Sequence, residues 1–160
     1  MMAKKKQKKY LFFIALVLVA AVVISGVFLL ALKSASSGKI ALDPEYYNNA
    51  DQIYLDTEEY EQLIREKKSF IVVSYASICN SKILDFVDDF SEENKVAFID
   101  INWEKLKGTE AREVIKYPPT VFIVEKGKIR AYLDSDAEED VEKYNDYEVF
   151  SAWIKENISF

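Results

Sequence analysis

Apolar positions follow three rhythms along this chain, and each marks a different kind of element. From Leu11 to Leu32 they are continuous: LFFIALVLVAAVVISGVFLLAL carries no charge, and only Ser25 and Gly26 interrupt it. As a helix such a run spans about 33 Å, enough to cross a hydrocarbon core of about 30 Å. It is apolar on all sides, which does not suit a helix with one face in a soluble core. Residues 33–50, K-S-A-S-S-G-K-I-A-L-D-P-E-Y-Y-N-N-A, are small and polar and read as a linker. From residue 51 onward, short β-type runs alternate with helical spacing.

Taken in order, Gln52–Leu55 predicts a short strand. Asp56 or Thr57 then caps a helix with Tyr60, Leu63 and Ile64 on one face. Phe70–Ser74 is a buried strand. A helix from Cys79 or Asn80 to about Phe90 follows, with Ile83, Phe86, Val87 and Phe90 on one face. Val96–Ile101 is a third strand, and residues 104–116 hold a weaker helix. Tyr117-Pro118-Pro119 forces a non-helical turn. Thr120–Val124 and Lys128–Leu133 then make a hairpin around Glu125-Lys126-Gly127. A last helix runs from about Tyr147 to Ile158. The order β-α-β-α-β-α-β-β-α argues for an α/β domain over residues 51–160, a mixed central sheet with helices on both faces.

Charge divides the chain sharply. Lys4, Lys5, Lys6, Lys8 and Lys9 give the first ten residues +5, whereas residues 33–160 carry a net −11. The lysines should keep residues 1–10 cytoplasmic, with 11–32 as a transmembrane signal anchor and the rest extracytoplasmic at the cell membrane. The rival, a cleaved signal peptide, usually has an apolar region of only about 7–15 residues. An acidic domain repels phosphate backbones, so a nucleic-acid partner is disfavoured. There is no histidine and one cysteine, Cys79. Ser–His–Asp and Cys–His catalysis, most zinc sites and an internal disulfide are thereby excluded. The acidic run from Asp134 to Glu142 does not make a calcium loop, because Glu139 and Asn145 stand where Gly and an acid are needed. It reads as a solvated, flexible loop. No cofactor and no metal is expected.

The stretch that invites chemistry is Phe70–Lys82, F-I-V-V-S-Y-A-S-I-C-N-S-K, where a strand gives way to a cysteine and then a helix. Unpaired N–H groups at a helix start favour negative charge and make a thiol there easier to ionise. Lys82 would add a cation. Two readings stay open for Cys79: a reactive monothiol, or a small buried apolar residue. Acids of the 134–142 run, if they lie close, would oppose ionisation.

Over residues 51–160 the chain resembles the thioredoxin family. Y-A-S-I-C-N-S-K (75–82) is similar to the family's W-A-x-W-C-x-x-C-K region, with Cys79 at the first, nucleophilic cysteine. Y-P-P-T-V-F-I-V-E-K-G-K (117–128) is similar to its cis-proline segment and closing hairpin, with Pro119 as the cis-proline. The resemblance implies a thioredoxin-like fold. It implies a site with Cys79 as candidate nucleophile and Lys82 as candidate thiolate stabiliser. The binding surface would be Tyr75, Ile78, Asn80, Ser81, Pro118, Pro119 and Thr120. Four positions depart from the pattern. Lys82 replaces the resolving cysteine, Val73 a buried acid that assists proton transfer, and Ile78 an aromatic residue. Pro118 removes an N–H that commonly bonds a bound peptide. A single thiol cannot cycle between dithiol and internal disulfide, so dithiol reductase activity is expected to be absent. What the degenerate site implies is a binding or accessory module facing an extracytoplasmic protein partner. The alternatives are monothiol exchange through Cys79 in envelope redox homeostasis, or a purely structural domain.

Overall fold

A computed structural model describes residues 38–77 and 81–160. The predicted basic segment and membrane span (1–32) lie outside the described residues, as do Ile78, Cys79 and Asn80. Among the described residues, no helix is long and apolar enough to cross a membrane.

Five strands form one sheet in the order β1-β3-β2-β4-β5. They are β1 (Gln52–Tyr54), β2 (Phe70–Tyr75), β3 (Phe98–Asn102), β4 (Thr120–Glu125) and β5 (Lys128–Tyr132). The first three run parallel, whereas β4 and β5 are antiparallel. The helices are α1 (Thr57–Arg65), α2 (Lys82–Asn94), the short α3 (Glu110–Val114) and α4 (Tyr147–Asn157). The predicted element order is therefore the observed one. In place of the single weak helix over 104–116, a 3-10 turn (Trp103–Leu106) and α3 flank Gly108, whose φ is +87°.

Side-chain alternation assigns the two faces of the sheet. Phe70 and Phe122 point to one face, where Tyr60 of α1 meets both rings edge-on. Phe98 points to the other, where Phe90 of α2 packs on it and on Phe150 of α4. α1 opens with a full capping box: Glu59 N donates to Asp56 Oδ1 at 3.0 Å, and Asp56 N to Glu59 Oε2 at 2.9 Å. α2 opens at Lys82, with Ser81 as an extended N-cap (φ −120°, ψ 135°). It ends at Lys95 in the left-handed region. This start is later than the predicted one at Cys79 or Asn80, because Ser81 is not helical.

Two other expectations are corrected. Residues 39–50, expected to belong to the linker, are part of the folded unit, which spans Lys39–Phe160. Ile40, Leu42 and Tyr46 are buried in its core. The acidic run is not an irregular loop. Glu138–Tyr144 forms a 3-10 helix, held where Asp140 accepts from Asp134 N (2.8 Å) and from Lys143 Nζ (2.7 Å).

The β4–β5 turn places Lys126 and Gly127 both at positive φ, as a two-residue I′ hairpin requires. Gly127 N donates to Lys68 O at 2.9 Å, so the turn is sewn to the segment that follows α1. A Cβ on Gly127 would lie 2.4 Å from Ile64 O, a backbone atom that cannot swing away. Gly127→Ala is expected to destabilise the domain by about 2 kcal/mol, combining left-handed strain with displacement of α1. Urea unfolding checks this; an unchanged midpoint would show that the two elements separate freely.

Candidate functional site

The register brings the predicted site residues to one end of the sheet. Ser74 of β2 pairs with Thr120 of β4, so the exit from β2 lies beside the entry to β4. Tyr75, at the end of β2, is half-buried, and Thr120 is fully buried. Between Tyr117 and Thr120 the chain turns through a cis peptide bond joining Pro118 to Pro119, both half-buried. Tyr117 itself is 53% exposed. Ser81 and the exposed Lys82 open α2 at the same end, where carboxyl ends of parallel strands commonly meet ligands. Asn102, the last residue of β3 and partner of Tyr75, donates through Nδ2 to Ser77 Oγ at 2.9 Å. This pins the loop leaving β2. Cys79, Ile78 and Asn80 lie outside the described residues, so Cys79 has no assigned geometry.

The acidic segment reaches this end through Tyr144. Its phenol is buried beside Thr120, and burial pushes its pKa up to about 12, with Asp140 and Asp134 adding to the effect. Negative charge is therefore close to the proline turn.

The sequence also concealed a residue. Val73, where the sequence resemblance would place a buried acid, pairs directly with Asp100 on β3. Paired residues project on one side of a sheet. Tyr54 of β1, Asp100 and Val73 thus form one row under α2. Asp100 is only 8% exposed, and its Oδ1 has no hydrogen-bond partner. Burial raises its pKa to about 6, and Asp88 of α2 pushes it the same way. The signal in the sequence is a lone acid inside F-I-D-I-N, a run otherwise suited to a strand buried on both faces.

Compared as sequence, the chain matches no protein-family model and no curated protein. Solved structures do match. A thioredoxin from Halobacterium salinarum NRC-1 superposes with a TM-score of 0.50 at 14% identity, over 69% of this chain and 94% of that one. The reduced thioredoxin pre-protein of Schistosoma mansoni gives 0.50 at 20% identity, over 68% and 99%. At these identities the likeness is one of fold. The domain has a thioredoxin-like α/β fold.

Proposed function

We propose that this chain is a membrane-anchored, extracytoplasmic protein that uses a thioredoxin-like domain as a binding or accessory module for envelope or secreted proteins. One observation carries this: the fold is kept while its exchange chemistry is reduced to one thiol. The chain has a single cysteine, and Lys82, in place of a second one, begins α2. Cycling between dithiol and internal disulfide needs two. The exposed Tyr117, the Pro118–Pro119 turn and Tyr75 together offer a contact surface at the end of the sheet. The apolar run 11–32 behind a lysine cluster supports the anchor and its orientation.

The alternative is monothiol exchange through Cys79. It is favoured by the exposed cation of Lys82, three residues along, which would stabilise a thiolate.

A photo-crosslinking residue in place of Tyr117 separates the two in cells. Adducts that form equally well in a Cys79→Ser background are the expected result. Higher-mass species that need Cys79 and vanish under reductant would instead favour exchange. Absence of both kinds of adduct would remove the binding reading. Sustained insulin reduction by the purified chain is not expected.

A further inference from the structure

Between β1, β3 and α2 lies a pocket of about 280 Å³ with Asp100 among its lining residues. The Asp100 side chain is more than nine-tenths buried, and one of its carboxylate oxygens has no hydrogen-bond partner. A buried polar atom left unpaired is costly, more so when charged, so this oxygen calls for a donor. Among the described residues, no Lys or Arg lines the pocket. Its second acid, Asp88, is held by a relay across the mouth: Tyr54 donates its hydroxyl to Gln52 Oε1, and Gln52 Nε2 donates to Asp88 Oδ1. Asp88 and Asp100 repel each other's charge. Tyr54 and Tyr75 supply aromatic surface, and Leu84 and Val87 an apolar wall.

From these features we infer that the pocket takes a guanidinium group carried on a short apolar stem. The donor fork would reach the unpaired Asp100 oxygen and offset the repulsion from Asp88. A guanidinium is planar, weakly hydrated and able to stack on a tyrosine, which an ammonium does less well. A hard metal cation fits poorly, since calcium needs about six to eight oxygen ligands and the lining holds two carboxylates. The same group could arrive on an arginine of a partner protein or on a free alkylguanidine. The site stands whether or not Cys79 exchanges thiols, since none of its residues belongs to the 78–80 segment.

The test uses the full chain in detergent micelles, followed by amide NMR shifts of Leu84, Val87 and Asp100. Butylguanidinium is expected to shift all three saturably, while the neutral butylurea of the same shape does not. Asp100→Asn removes the buried charge without removing volume, and should weaken binding at least tenfold. Asp88→Asn should weaken it less. An acetylated Gly-Arg-Gly amide distinguishes the sources. Saturable shifts with it point to a partner's arginine; shifts with butylguanidinium alone point to a free ligand. No saturable shift with either probe would overturn the inference. So would an equal response to butylurea, or unaltered affinity in Asp100→Asn.

Discussion

A chain beginning at Asp51 is expected not to fold, whereas one beginning at Gly38 is expected to unfold cooperatively in urea. The difference is the strap of residues 39–50. Ile40, Leu42 and Tyr46 are each no more than 6% exposed. Burying side chains of this size stabilises by about 1.5–3 kcal/mol apiece, so the loss of all three removes roughly 4.5–9 kcal/mol. The strap also closes the two ends of the domain. Ile40 N donates to Asn157 O at 2.7 Å, and Ser159 N to Ile40 O at 2.9 Å. Further in, Asp43 N donates to Ser69 O, and Ala97 N to Tyr46 O. Deletion would leave those partners exposed and uncover Phe70, against which Tyr46 packs with ring centroids 6.1 Å apart. Small domains hold about 5–15 kcal/mol in total, so a loss of this size takes most or all of it. A finer probe is Tyr47. Its hydroxyl accepts from Leu42 N and donates to Ser159 O, joining strap to C-terminus. Tyr47→Phe should lower stability by about 1–2 kcal/mol without abolishing folding. If the 51–160 fragment gave a sigmoidal transition with the midpoint of the longer one, the strap would be a bystander.

That strap shows where pattern reading reaches its limit. Its Pro44, Asn48 and Asn49, following the Ser- and Gly-containing residues 33–38, carry the marks of a tether. The three residues that enter the core sit at irregular intervals, so neither a helical nor a strand period flags them. The elements that were legible had strong local causes. The β2 run is apolar, Asp56 and Glu59 form a capping box, and the proline pair blocks a helix just before a hairpin. Periodicity marks a helix's interior better than its cap, so the apolar spacing points to a start for α2 ahead of the observed Lys82. Ser81 breaks the helical path, and only backbone angles reveal it. Asp100 was hidden for another reason. Its importance comes from lying beside Val73 across the β2–β3 ladder, a register that no local pattern encodes.

Replacing Asp100 is therefore expected to stabilise this protein at neutral pH. The side chain is buried in the row between Tyr54 and Val73, with one carboxylate oxygen unpaired. Burial, followed by the charge of Asp88, raises its pKa to about 6 from the usual 3.8. The groups facing it are Tyr54 of β1, Tyr75 of β2 and Asp88 of α2, and none of them is a cation. Between about pH 4 and pH 6 the folded state holds a proton on Asp100 that the unfolded state has released. Stability from this group is thus greatest below pH 4 and is lost as pH rises to 6. A shift of about two units corresponds to roughly 3 kcal/mol, an upper bound because the site opens into a pocket. Asp100→Asn cannot ionise, so it should gain up to that amount over the parent at pH 7 and little at pH 4. Urea midpoints of both proteins at the two pH values measure the gain directly. The comparison cancels every other carboxylate, because both chains share them. Equal midpoints at pH 7 would mean that a donor already satisfies Asp100, and the strain attributed to the unpaired oxygen would be gone. A gain of the same size at pH 4 would trace the effect to packing and not to charge.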